Sequence, residues 1–184
     1  MNHFSYFTIA NSIFFLVFNL INTFGIAFLY NKSNDSFYHS VGLLVIIRIV
    51  YIAILPFGTK FVGSIGTRSS VIISMFFLFI SNSALIFLDS SDIFLYLWII
   101  LSALSYTFFF LPIALFTSKY TKSETRGVQM GKIYSTVLFA TAFAPMISGE
   151  VLSMYSIDGF VLLLAGLILL SIFFTLRLGN IHFE

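Results

Sequence analysis

The sequence contains no cysteine, only three prolines and few charged residues. Charged residues make up 9% of the chain, whereas they make up about a quarter of a soluble domain. Without cysteine there is no disulfide framework and no thiolate chemistry. The net charge of +2 is small and scattered along the chain, which excludes the clustered basic face of a nucleic-acid-binding protein. Water is therefore not the solvent for most of this surface.

The chain has long apolar stretches instead, and 59% of its 184 residues are hydrophobic. A helix of about 20 apolar residues crosses the roughly 30 Å hydrocarbon layer of a bilayer. The charges divide this chain into six such stretches, which are too long and too uniform for strands. We therefore predict an all-α integral membrane protein, with the lipid bilayer as its surroundings. The single bundle comprises residues 1–184, with six transmembrane helices at about 4–30, 38–57, 69–88, 93–117, 133–154 and 160–176.

The basic residues are distributed unequally between the two sides of this arrangement. The segments that follow spans two, four and six contain Lys60, Arg68, Lys119, Lys122, Arg126, Lys132 and Arg177. The other side has Lys32 as its basic residue, together with Asp35, Asp89, Asp92 and Asp158. By the positive-inside rule the basic side is cytoplasmic. We predict a multi-pass protein of the cell (plasma or inner) membrane with both termini in the cytoplasm.

Two segments carry a family resemblance. Gly58-Thr-Lys-Phe-Val-Gly-Ser-Ile-Gly-Thr-Arg68 resembles the loop that precedes the third helix of the major facilitator superfamily, where glycines flank an acidic and a basic residue. Gly66 and Arg68 match that pattern, while Gly63 stands where the family has its acidic residue. Ala144-Pro-Met-Ile-Ser-Gly149 is similar to the family's Gly-Pro-x-x-Gly-Gly signature in helix five. The positions that match these motifs and the entry to helix five are Gly63, Gly66, Arg68, Arg126, Gly127, Ala144, Pro145, Ser148 and Gly149.

The resemblance implies the amino-terminal six-helix half of such a transporter, built from two inverted repeats of three helices. It implies secondary transport of a small solute by alternating access, with or without a coupling ion. It also implies gating and packing roles for the motif residues. Because the family has twelve helices, we expect either a missing carboxy-terminal half in a longer reading frame or a second copy paired in parallel.

Span one carries a polar stripe within an arc of about 120°. The stripe consists of Thr8, Asn11, Ser12, Asn19, Asn22 and Thr23. Carboxamides facing lipid are costly, so this face should meet other helices or a water-filled cavity. The residues leave both alternatives open, and the resemblance favours the cavity because first and fourth helices line it in that family.

Arg48 lies near the middle of span two, where an arginine costs roughly 2.5–3.5 kcal/mol to insert. We expect it to be paired with a backbone carbonyl, an anionic substrate or an acid on another half, with Tyr51 one turn away sharing its site. The remaining cavity candidates are on spans four and five: Ser102, Ser105, Tyr106, Tyr134 and Thr141. Span five also has small residues four apart, a pattern that allows close helix packing.

Other functions are less well supported by the sequence. His3, His39 and His182 lie at membrane edges and have no metal-ligand spacing, and no membrane-embedded nucleophile has a base beside it. We therefore expect no enzyme activity, no metal and no cofactor. A non-transporting scaffold or assembly subunit remains the alternative to a transporter.

Overall fold

The computed structural model describes residues 3–32, 37–87, 91 and 93–181, and within these ranges it is helical and contains no strand. The predicted all-helical fold is confirmed. The elements are α1 (His3–Lys32), α2 (Phe37–Ile65), α3 (Thr67–Ile86), α4 (Ile93–Tyr120), a 3-10 turn (Ser123–Thr125) and α5 (Arg126–Leu176). The predicted end of span three at Leu88 lies outside the described residues, as do Asp35, Asp89, Asp92 and His182 and the side chains of Lys32, His39 and Asp158.

Several helices are apolar enough to indicate a membrane protein. Among the described residues, five stretches could cross a bilayer: His3–Gly25, Val41–Ile65, Ile93–Tyr120, Ser123–Val151 and Gly159–Leu176. α3 (Thr67–Ile86) is not one of these five. The sixth span and the cytoplasmic placement of the termini stay predictions.

The predicted boundaries around the basic segments differ from the structure. The segment between spans two and three is mostly helical, since α2 continues to Ile65 and the chain changes direction at Gly66. Likewise, α5 begins at Arg126 rather than near residue 133. Continuing a helix beyond the apolar stretch keeps backbone N–H and C=O groups paired, which is why these segments are helical.

α5 is helical over 51 residues but cannot be straight. Thr136 lines the same groove as Thr8, while the ring of Phe174 lies 6.3 Å from that of Tyr6. In a straight helix Thr136 and Phe174 would be about 57 Å apart. The chain therefore reverses within α5, which gives a first arm (126–151) and a second arm (Gly159–Leu176) that both lie along α1.

The core is formed by α1 between α4 and the two arms of α5. Phe14 stacks on Phe109 of α4, and Phe24 packs 4.7 Å from Phe160 of the second arm. On the other side of α4, Gly58 of α2 lies so close to Thr107 that a Cβ would collide with the threonine methyl. Many other large apolar side chains are exposed, as expected for a surface that contacts lipid.

Candidate functional site

A cavity of about 390 Å³ lies between α1 and α2. Two carboxamides of the α1 stripe, Asn19 and Asn22, face it together with Arg48 of α2. The two asparagines are three residues apart, which places them on one face of a helix. Phe18, Val41, Leu44 and Val45 complete the wall. The cavity therefore combines one guanidinium and two amides with apolar sides.

Arg48 is held against an aromatic ring. Its guanidinium carbon lies 4.5 Å from the ring centroid of Tyr106 on α4, which is within the range of a cation–π interaction. The Tyr106 hydroxyl donates a hydrogen bond to Asn22 Oδ1 at 3.3 Å. The sequence places Arg48 and Tyr106 on different helices, so it gave no indication of this partner. Arg48, Tyr106 and Asn22 thus form one connected unit across three helices.

Tyr51 contacts this unit, and Asn19 faces the same cavity. The Asn19 amide donates to the Phe15 carbonyl at 2.7 Å and to Thr141 Oγ1 on α5 at 3.0 Å. The ring of Tyr51 lies edge-on to Tyr106 with centroids 6.3 Å apart. Six of the predicted cavity residues are therefore brought together: Asn19, Asn22, Arg48, Tyr51, Tyr106 and Thr141.

Other predicted cavity residues lie elsewhere. Ser105 faces α3, where Ser74 Oγ donates to its carbonyl oxygen at 2.9 Å. Tyr134 is 59% exposed on α5. Asn11 and Ser102 are buried in the bundle, and neither they nor Thr23 line the cavity. The side chains of Ser105 and Tyr106 point about 100° apart around the helix axis. Ser105 of the predicted stripe therefore packs against α3, whereas Tyr106 contacts Arg48 and Asn22 at the cavity.

The cavity can bind an electron-rich solute. Its polar groups are a permanently charged guanidinium, which only donates hydrogen bonds, and two amides. None of the described residues that line it is acidic. Its chemistry favours a solute that carries negative charge or several hydrogen-bond acceptors.

The predicted loop motif forms a tight junction between α2 and α3. Gly66 has a φ of 83°, in the left-handed region that favours glycine. A Cβ at this position would collide with the side-chain amide of Asn180. Gly63 is buried on α2. A glycine is thus required at position 66, because the backbone has a positive φ and because Asn180 leaves no room for a Cβ.

Residues 178–181, which we name the tail segment, are hydrogen-bonded to this junction. Asn180 Oδ1 accepts from the Arg68 backbone N–H at 2.9 Å, and its amide donates to the Ile65 carbonyl at 3.3 Å. The Thr67 N–H donates to the Ile181 carbonyl at 2.9 Å. The Arg68 guanidinium donates to the Leu178 carbonyl at 3.4 Å. Arg68 therefore contacts the tail segment, and Gly63 stands where the family pattern has an acidic residue.

The motif positions on α5 divide into two groups. Ala144 and Ser148 are buried against the bundle, as the small-residue spacing predicts for close packing. Pro145 and Gly149 are exposed, and so are Arg126 and Gly127 in the first turn of the helix. Of this motif, Ala144 and Ser148 thus have a direct packing role in the bundle.

We expect Asn180→Ala to lower the stability of the protein. The substitution removes the hydrogen bonds to Arg68 and Ile65, each of which contributes about 0.5–1.5 kcal/mol. The measurement is thermal or denaturant unfolding of purified protein in detergent micelles. Ser123→Ala, at an exposed position of the 3-10 turn, is the control. Equal unfolding midpoints for Asn180→Ala and the wild type would contradict the role of the tail segment.

The comparisons with known proteins add no relative. The sequence matches no family profile, no curated protein and no solved structure.

Proposed function

We propose that this chain is one six-helix half of a secondary transporter that resembles the major facilitator superfamily. The cavity between α1 and α2 would be part of the path of a small solute. The second half would come from a continuation of the same chain or from a second copy in parallel. Both termini would lie in the cytoplasm, on the side of the basic residues.

One observation carries this proposal. Three costly polar groups that the sequence places inside the membrane, Arg48, Asn19 and Asn22, face the same cavity. Arg48 is exposed there, although an arginine at that depth is expensive. Such a group is commonly retained in a membrane helix where it meets a substrate or an ion. Polar residues used only for packing would be buried between helices, as Ser74 and Ser105 are.

The residues at the cavity also connect several helices. Arg48, Tyr106 and Asn22 join α2, α4 and α1, and Asn19, which faces the same cavity, donates to Thr141 on the first arm of α5. A solute that replaced the Arg48–Tyr106 contact or the Tyr106–Asn22 bond would alter how these helices are held together. Alternating access requires such a differential interaction between two states.

The test is a transport screen with the purified full-length protein in proteoliposomes. Small anions and acceptor-rich neutral solutes are offered, and uptake is compared with that of empty vesicles. We expect at least one such solute to accumulate and to be displaced by excess unlabelled solute. If no solute of either class is transported by any assembly that contains this chain, the proposal fails and a scaffold function is favoured.

We expect Asn19→Leu and Asn22→Leu each to lower uptake by about five- to tenfold. Each substitution removes a carboxamide from the cavity wall, and one lost hydrogen bond is worth about 1 kcal/mol or slightly more. The measurement is initial uptake rate in proteoliposomes at equal protein content. Asn11→Leu is the matched control, because Asn11 lies on the same helix but is buried away from the cavity.

We expect Asn11→Leu to leave the protein folded. Asn11 Oδ1 is buried and has no hydrogen-bond partner among the described residues. Replacing it by leucine removes an unsatisfied acceptor, so the protein should be at least as stable. If Asn19→Leu and Asn22→Leu reduce expression while uptake per molecule is unchanged, the carboxamides serve packing and the cavity assignment is wrong.

A further inference from the structure

A second concavity lies nearer the start of α1, between this helix and the first arm of α5. It is an open groove of about 730 Å³ whose walls are almost entirely apolar. Ile9, Ile13 and Leu16 contribute from α1, and Phe143 and Ile147 from α5. No residue lines both this groove and the cavity between α1 and α2. The groove lies between α1 and α5, whereas the cavity lies between α1 and α2.

One end of this groove continues into a polar mouth. Thr8, Ile9, Ser135 and Thr136 line both regions, and beyond them lie Gln129 and Lys132. The Gln129 side chain is fixed because its Oε1 accepts from the Lys122 backbone N–H at 2.7 Å. Lys132 is exposed at the mouth. The concavity is therefore amphipathic along its length, apolar at one end and basic at the other.

The length of the concavity matches one leaflet of a bilayer. From Phe4 in the mouth to Leu16 in the groove, α1 advances by about 18 Å. Half of the hydrocarbon layer is about 15 Å. The basic end thus lies near the depth of lipid phosphates when the apolar end is near the middle of the bilayer.

The charge at the mouth favours a lipid over a helix. An apolar helix would place hydrocarbon side chains against Lys132 at the mouth, where no described residue of the lining is acidic. An anionic headgroup would instead bring a charge opposite to that of Lys132.

We propose that this concavity binds one anionic phospholipid, from the leaflet on the side of Lys132. One acyl chain lies between α1 and the first arm of α5, and the phosphate lies against Lys132 and Gln129. Basic residues near a membrane surface attract anionic lipids. The site does not depend on the proposed transport function, and its test uses no transported solute.

The first test compares two lipids with identical acyl chains on the purified full-length protein in detergent. Phosphatidylglycerol and phosphatidylcholine are titrated, and the bound lipid is counted by native mass spectrometry. We expect phosphatidylglycerol to bind at least about fivefold more tightly. Lys132→Gln should remove this preference, whereas Lys119→Gln should keep it, because Lys119 is exposed but does not line the mouth. Equal affinity for the two lipids, or an equal loss in both variants, would overturn the proposal.

The second test locates the acyl chain and includes a variant that fills the groove. A phosphatidylglycerol with a diazirine at mid-chain should label Ile13, Phe143 and Ile147 of the wild-type protein in preference to exposed Leu138 and Leu162. Ala140→Trp should abolish this labelling, while Leu138→Trp on another face of α5 should not. Uniform labelling of the exposed apolar surface would refute a dedicated site.

A second copy of the chain is the competing occupant. Because the chain has no cysteine, Ser12→Cys introduces a single thiol into the groove. Efficient disulfide-linked dimers in lipid vesicles would show that protein covers the groove, and the lipid proposal would be wrong. Absence of such dimers together with selective lipid labelling is the expected result.

Discussion

Arg48→Ala is expected to reduce transport by at least tenfold while membrane insertion and folding are unchanged. A hydrogen bond to a charged group contributes about 1.5–3 kcal/mol, which corresponds to a factor of about ten or more. Removing a charge from the middle of a span also lowers the cost of insertion, so the amount of protein in the membrane should be equal or higher. The measurement is initial uptake in proteoliposomes, normalised to the amount of inserted protein. Wild-type uptake by this variant would refute the site.

Two further variants separate the charge of Arg48 from its contact with Tyr106. Arg48→Lys keeps the charge but loses the planar fork of donors, so uptake should be intermediate. Tyr106→Phe keeps the ring beneath the guanidinium and removes the hydrogen bond to Asn22. It should lower uptake less than Arg48→Ala does. Lys60→Ala is the matched control, because Lys60 is an exposed basic residue of the same helix outside the cavity.

Gly66→Val is expected to cause the largest loss of stability of any single substitution considered. A β-branched residue at a φ of 83° is a strong outlier, and backbone strain of this kind costs about 1–3 kcal/mol. The added side chain would also displace Asn180 and so weaken the contact between the tail segment and the junction. We expect a markedly lower unfolding midpoint, or no folded protein, measured by thermal unfolding in micelles.

A double-mutant cycle separates the backbone strain at position 66 from the steric contact with Asn180. In the Asn180→Ala background, Gly66→Ala no longer meets the asparagine amide, so its cost should decrease toward the backbone term of about 1 kcal/mol. Gly127→Ala is the matched control, since a Cβ at this helical position has no neighbour within 4 Å. It should be neutral or slightly stabilising. If the cost of Gly66→Ala were the same in both backgrounds, Asn180 would not be the neighbour that restricts this position.

Properties that depend on single helices could be predicted from the sequence. The length of the apolar stretches and the positions of the charges indicated a helical membrane protein. The helical period of 100° per residue placed Asn19 and Asn22 on one face of α1. The cost of an arginine at the centre of a span identified Arg48 as a residue in need of a partner. Each of these inferences requires only the local sequence and the properties of the bilayer.

Properties that depend on the register between helices could not be predicted. Whether Arg48 meets the face of Tyr106 is decided by how far α2 slides along α4, and close contacts such as Gly58 against Thr107 set that position. The same applies to Ser105, whose exposure to α3 depends on the rotation of α4. The bonds between Asn180 and the junction join residues more than 100 positions apart, and no local pattern indicates them.

The tail segment also determines when the α2–α3 junction can be completed during synthesis. Its hydrogen bonds to the junction join residues 110 to 115 positions apart. At about 5–20 residues per second, a newly made junction waits for roughly 5–20 seconds before its partners leave the ribosome. During this interval Gly66 must hold its turn with water or lipid headgroups in place of Asn180. A segment that follows α5 thus fastens the turn between α2 and α3.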